Sequence, residues 1–221
     1  MIFPDLKGKR FGYVNLNLEA EAWLKHNESR SASNPLLDPS ICQSMIDSVH
    51  EKYCLDFSFG GWMEDRSTLW KGSYLERENS FIHLGIDINV PPGTEIAASF
   101  DATVAKVDDD YPEQGGWGPR VILKHATKPI YLIHAHLDRD IRCEVGDALK
   151  RGQIFARVGT PPHNGNWFPH LHLQTISKDH YDRLEKERSW ADLDGYGPAD
   201  DIRENASLFA DPMELISLND L

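Results

Sequence analysis

Apolar positions recur with two different periods along this chain. In "DPSICQSMIDSVHEKY", residues 38–53, Ile41, Met45, Val49 and Tyr53 come every fourth position, the spacing of one helical face. Asp38 is a good acceptor for the first-turn amides and Pro39 suits the first helical position, so the helix starts there. A weaker helical pattern covers "LEAEAWLKH" (18–26), and the turn formers of "SNPLLDP" join the two. The first 55 or so residues therefore read as helical.

From about residue 80 the period shortens. "FIHLGIDINV", "TEIAASFDATVAKV", "RVILKHA" and "IYLIHAHL" are short, rich in Val and Ile, and separated by Pro, Gly and Asp, which predicts a compact antiparallel β domain. "RVILKHATKPIYLIHAHL" reads as a hairpin turning at Thr127, Lys128 and Pro129. "VGDALKRGQIFARVG" adds two short strands around a tight turn, and "DDDYPEQGGWGP" and "TPPHNGNWFP" are surface loops ahead of histidine-bearing strands. In the tail, "DPMELI" repeats the Asp-Pro helix start. The expected organisation is a helical segment packing on the core (1–75), a β domain (76–178) and a C-terminal extension ending in a short helical tail (179–221). The fold class is mainly β, an antiparallel sheet or sandwich core with a helical N-terminal extension.

Composition narrows the function. With 35 acidic against 23 basic residues the net charge is −12, and no run of Lys and Arg is long enough to follow a phosphate backbone, so nucleic acid is excluded as the expected partner. Asn15, Asn17, Glu19 and Glu21 break the stretch after Lys7, Lys9 and Arg10, so there is no signal-peptide core, and no apolar run approaches the ~20 residues that span a bilayer. The expectation is a cytoplasmic protein. Three cysteines fit a reducing compartment: Cys42 and Cys54 lie on the expected helix, roughly 18 Å apart along its axis, too far to bridge.

The histidines carry the chemistry. Ten are present, and those of the β region cluster in "HLGID", "HAHL" and "HLH". Residues two apart on a strand face one side, so His170 and His172 should project together, as should His134 and His136; His83 and Asp87, four apart, share a face if their run is extended. Any one of these histidines, taken alone, is better explained as a partly buried strand residue with a hydrogen-bond partner. Three clusters on neighbouring strands favour a metal site instead, and zinc, which takes neutral imidazole and carboxylate and keeps a fourth position for water in catalytic sites, suits the set. Five candidate groups exceed that arrangement, so some remain for acid and base work, and spacing does not say which. Trp62 and Trp70 read as packing residues rather than substrate platforms, and Glu64, Asp65 and Arg66 as a solvated charged turn.

The order of "HLGIDINVPPGTEIAA", "HAHL", "VGDALKRGQIFARVGT" and "PHLHLQ" resembles the lysostaphin-like, or LytM-type, zinc endopeptidases over residues 80–176. The stretch "FGGWMEDRSTLWKGSYL" is similar to a subgroup without secretion signals. Carried over by position, the resemblance implies that His83, Asp87 and His172 bind Zn2+ and that His136 and His170 are the catalytic pair. It implies hydrolysis of peptide bonds by metal-activated water, in peptidoglycan cross-links or Gly-containing peptides, with no Glu of a His-Glu-x-x-His motif. His134 stands where many members have Tyr, and "NWFP" replaces a more usual Thr-Gly, which bears on substrate preference. Two rivals remain: an inactive regulator or binding protein with the peptidase fold, and a lipoyl-type carrier suggested by "VGDALKRGQ", although Lys150 there lies in the turn beside Arg151.

Overall fold

The computed structural model describes residues 1–27, 33–110 and 115–216. In chain order the elements are β1 (Phe11–Tyr13), α1 (Leu16–His26), α2 (Pro39–Tyr53), β2 (Phe57–Gly60), α3 (Tyr74–Glu78), β3 (Ile82–His83), β4 (Ile86–Asn89), β5 (Glu95–Ala97), β6 (Ala102–Asp110), β7 (Gly118–His125), β8 (Ile130–Ala135), β9 (Ala148–Leu149), β10 (Ile154–Arg157), β11 (Leu171–Ser177), α4 (Lys178–Glu187), β12 (Tyr196–Gly197) and α5 (Ile202–Leu208). Eight strands form one sheet in the order β1-β2-β4-β11-β8-β7-β6-β9. Its pairs are antiparallel except β1 with β2. The expected β core is present, the β7–β8 hairpin included, with helices before it and after its last strand.

Helix α2 starts as its sequence predicts. The Asp38 carboxylate accepts from the Ser40 and Ile41 amides, and Pro39 follows at the first position. Its buried face differs from the expected stripe: Cys42, Met45, Ile46 and Val49 are buried, while Tyr53 is 47% exposed. Four residues advance the helix by about 400°, so a strict every-fourth series drifts about 40° per step and has left the face by its fourth member. The Tyr53 hydroxyl instead donates to Glu19 on α1.

The expected helical run to residue 55 is also interrupted. Residues 11–13 form β1, which extends the sheet beside β2 with Phe11 opposite Phe57. Three residues are too few to show a period, and the pairing is long-range. Among the described residues no helix is long and apolar enough to cross a membrane, and Cys42, Cys54 and Cys143 are free thiols.

The two faces of the sheet differ. One carries Ile86 and Ile88 of β4, Leu171 and Leu173 of β11 and Leu132 of β8, packed against Ile96, Phe155 and Val158 around the separate β5–β10 pair, with Ile2, Phe3 and Ile216 closing the layer. The other carries Ile133, Ala135 and Ile176 and is covered in part by Tyr181 and Leu184 of α4, Leu193 and Phe209. A third apolar cluster joins α1 and α2 to Trp70, Leu75 and Phe168. Asp87 and His172, opposite one another on β4 and β11, lie on the second face, alternating with the leucines and isoleucines that fill the first.

Candidate metal centre

Cross-strand register builds the centre. His172 is opposite Asp87 on one side and Ala135 on the other, and antiparallel partners face the same way. His83 arrives from β3, a separate two-residue strand, because Leu84 and Gly85 break the extended run. Gly85 is required there: a Cβ would stand 2.3 Å from the Leu173 carbonyl oxygen and 2.9 Å from the His172 ring. The result is a buried triangle. His83 Nε2 is 3.1 Å from His172 Nδ1 and 3.2 Å from Asp87 Oδ1, and His172 Nδ1 is 2.9 Å from the same oxygen.

The far side of each ring determines what faces inward. His83 Nδ1 is 3.1 Å from the Gly61 carbonyl oxygen, which can only accept, so Nδ1 carries the proton and Nε2 a lone pair. His172 Nε2 is 3.0 Å from Gln174 Oε1, and the Gln174 amide donates in turn to the Asp194 carbonyl, so His172 Nδ1 is the bare nitrogen. Two imidazole lone pairs and a carboxylate oxygen thus converge within 3.2 Å, an arrangement that repels itself without a cation between the atoms. Donors ~2.0–2.1 Å from a tetrahedral zinc stand roughly 3.3 Å apart, so the triangle fits such an ion. His83, Asp87 and His172 form a metal-binding group.

Electrostatics agree. Burial, aided by the Arg66 guanidinium, pushes the His83 pKa down to about 4, so the ring is neutral, as a ligand must be. Burial opposes the charge on Asp87, but His83, His170 and Arg66 outweigh it and hold its pKa well below the usual carboxylate range.

His136 and His170 flank the triangle. His170 Nε2 is 3.5 Å from Asp87 Oδ1, and its Nδ1–H donates to the Phe168 carbonyl at 2.7 Å. His136 donates through Nδ1 to the Asn164 carbonyl at 2.9 Å and stands 4.5 Å, ring to ring, from His170. Neither Nε2 meets hydrogen-bond geometry with a partner among the described residues. Burial depresses both pKa values, that of His136 strongly.

Two readings of the sequence need correction. His134 and His136 do not project together. His134 follows the alternation to the other face and meets Phe155 edge-on at 5.1 Å, whereas His136 follows the last residue of β8 with φ +62°, and this left-handed turn brings it round to His172. The charged turn is not solvated either: Arg66 is 0% and Glu64 7% exposed. Arg66 donates through Nη1 to Asp87 Oδ2, the oxygen turned away from His172, and through Nε to Glu64 at 2.9 Å. Tyr13 donates to the other Glu64 oxygen. A clue was available in "FGG": Gly60 is opposite Asp87, and a Cβ there would stand 2.5 Å from Arg66 Nη2. Trp62 and Trp70 pack as expected, although Trp70 also borders the cavity before the centre.

That cavity has a volume of about 140 Å³ and is lined by Asp87, His136, His170 and His172, by Trp70, Tyr74, Trp117, Trp167 and Tyr196, by Asp110 and Asp194, and by Gly116, Ala191, Leu193 and Gly195.

Fold and site together define a class: a candidate metal centre on a largely antiparallel sheet, with two further buried histidines beside it. Residues 81–183 match the model of peptidase family M23, and this part of the chain belongs to that family, with its metal-binding group intact. Among solved structures, the chain is similar to the catalytic domain of the antimicrobial peptidase lysostaphin from Staphylococcus simulans, at 22% identity over 61% of this chain and 78% of that one (TM-score 0.43). It is similar to a zinc-containing peptidase from Vibrio cholerae, at 24% identity over 45% of this chain and 28% of that one (TM-score 0.36). A mutant catalytic domain of the prophage-encoded M23 protein EnpA from Enterococcus faecalis shares 31% identity over 43% of this chain and 68% of that one (TM-score 0.38). The chain thus spans little more than a quarter of the Vibrio protein. No curated protein matches it.

Proposed function

We infer that this chain is a zinc-dependent peptidase that hydrolyses peptide bonds, with His83, Asp87 and His172 as the metal ligands and His136 and His170 as the catalytic pair. The observation that carries the reading is the convergence of three electron-pair donors, the two imidazoles among them with their protons committed on the outer side. Zinc held there supplies a lowered pKa for water and polarisation of the scissile carbonyl.

The protein's part is positional and protolytic. Gly61 and Gln174 fix the ligand tautomers, and Arg66 engages the outer oxygen of Asp87 so that a single oxygen faces the donors. The free Nε2 of His136 or of His170 accepts the proton of the attacking water, and the other ring, once protonated, donates to the developing oxyanion. An inactive regulator is the less favoured reading, because it leaves the bare Nε2 atoms of both flanking rings without a purpose. Peptidoglycan cross-links and Gly-containing peptides are the substrates the family likeness suggests.

The test is metal analysis of protein purified without added metal, paired with digestion of peptidoglycan and oligoglycine before and after chelation. About one zinc per chain and cleavage that chelation abolishes and zinc restores are expected. Metal-free protein, or cleavage indifferent to chelation, overturns the reading.

A further inference from the structure

One wall of the cavity is a strap from the C-terminal extension. Residues 191–196 cross the centre on the His172 side and are stitched down at several points. β12 pairs with β3, placing Tyr196 opposite His83; the Leu84 amide donates to the Gly195 carbonyl at 2.9 Å; Trp117 Nε1 donates to the Leu193 carbonyl at 3.0 Å; Trp70 Nε1 donates to the Tyr196 hydroxyl at 2.6 Å. Gly195 lies so close that a Cβ would touch the His172 ring at 3.4 Å. The strap therefore closes this end of the site against a continuous polypeptide. A second cavity, lined by Gly115 and Asn166 among others, shares Tyr74 and Trp167 with the first. The strap is the dead end of the inner cavity. At about 30 Å³ per water, the inner cavity of about 140 Å³ holds about five waters, the room of about two small residues.

The cavity has a sign. Its lining contains Asp194 and Asp110 besides Asp87 and, among the described residues, no Lys or Arg. Asp194 is held in place: the Tyr196 amide donates to Oδ1 at 3.1 Å and the Tyr74 hydroxyl to Oδ2 at 3.2 Å, while its own carbonyl accepts from the Gln174 amide that bonds His172. Only two bonds of that chain separate it from the metal-binding group. A fixed carboxylate among aromatic faces recognises a primary ammonium, through a charge-assisted hydrogen bond and the ring quadrupoles. A terminal carboxylate would meet repulsion.

We propose that the cavity takes the free amino end of a short peptide, with its α-ammonium on Asp194, so that this chain cuts one or two residues from the amino terminus and not inside a long strand. This deepens the peptidase reading and rests on it, and it departs from the internal cleavage that the family likeness suggests. Water adds its oxygen to the carbonyl carbon, the peptide C–N bond breaks, and the leaving amine takes up the proton, giving a released amino acid or dipeptide and a peptide with a new free amino end.

The test uses zinc-loaded full-length protein with tetraglycine, its N-acetyl form and its C-terminal amide, products being read by mass spectrometry. Cleavage next to the free amino end is expected, with kcat/KM lowered about 10- to 100-fold by acetylation, the worth of one charge-assisted bond, and unchanged by amidation. Asp194→Asn keeps the shape and should raise KM for the free peptide while leaving zinc content and the acetylated peptide's KM unchanged. Internal cleavage of acetylated and free peptides at equal rates overturns the proposal. So does equal affinity for N-acetyl-lysyl-diglycine and triglycine by calorimetry, since that assigns the site to a side-chain ammonium. Should no peptide be cut although zinc is bound, the peptidase reading fails by itself. The same calorimetry then still decides the ammonium site, by whether triglycine binds more tightly than its acetylated form.

Discussion

Two His-x-His pairs of identical spacing, His134/His136 and His170/His172, meet opposite fates in one sheet. His170 and His172 both reach Asp87 Oδ1, at 3.5 and 2.9 Å, as strand alternation requires. His134 and His136 are split: one faces Phe155 in the apolar layer, while the other joins the polar centre because its backbone turns left-handed at φ +62°. The turn is held on both sides, by the His136 amide donating to Trp117 and the Gly159 amide donating to His136, both at 2.9 Å. Alternation is a rule about regular strands, and one residue beyond the strand end reverses it. The centre owes the His136 ring at its flank to that reversal.

The comparison can be broken by substitution. The largest effect is expected for His172→Ala and Asp87→Ala, which each remove a donor from a three-donor set: zinc per chain should fall from about one to near zero by elemental analysis. His136→Ala and His170→Ala should keep the zinc and lose about 100- to 10,000-fold in turnover, the usual cost of a general acid or base. Loss of metal in all four variants alike would show that the flanking rings are ligands too.

Arg66 sharpens the contrast between the oxygen of Asp87 that faces the donors and the one that does not. Arg66→Met should weaken zinc binding about 10- to 100-fold, the usual range for loss of an outer partner of a ligand, and Arg66→Lys should recover part of it. Competition against a chelator of known affinity measures this. Affinity unchanged in Arg66→Met would leave the guanidinium with a purely structural role.

Legibility in the sequence followed the range of the interaction. The cap of α2 and the β7–β8 hairpin rest on local spacing, which the residues themselves carry, whereas spacing offers five candidate groups and the choice of His83, Asp87 and His172 among them comes from the family resemblance. Arg66 was misread because a charged triplet after two glycines is locally indistinguishable from a surface turn; only the pairing of Gly60 opposite Asp87 shows that a guanidinium fits beneath the ligand. The strap was invisible for the same reason. Nothing in "DLDGYGP" says that Tyr196 will pair with His83, more than 110 positions earlier. β1, three residues long and completed by a strand over 40 residues away, gave no period to read.

The smallest effect concerns His134, the member of the four that faces away. It is 0% exposed, the backbone of Val121 and Leu132 lies near its ring, and neither ring nitrogen meets hydrogen-bond geometry with a partner among the described residues. Burial pushes its pKa down from an ordinary 6.5 to about 4. The folded protein therefore resists a proton that the unfolded chain accepts. The stability this ring permits is fully present above pH 6.5 and is lost progressively as pH falls toward 4, by an amount on the order of 3 kcal/mol at the limit. His134→Leu fills similar space in an apolar layer without a titrating group, so its zinc content and turnover should match those of the parent. Near pH 7 its stability should be equal or greater by about 1 kcal/mol, the cost of unsatisfied buried nitrogens being removed. The advantage should widen steadily between pH 6.5 and 4.5, as read from urea midpoints of the two proteins side by side, where metal release is common to both and cancels. A pH-independent gap would mean that His134 finds a partner for its proton in the folded state, and loss of zinc in the variant would mean that the two faces of the sheet are not separate.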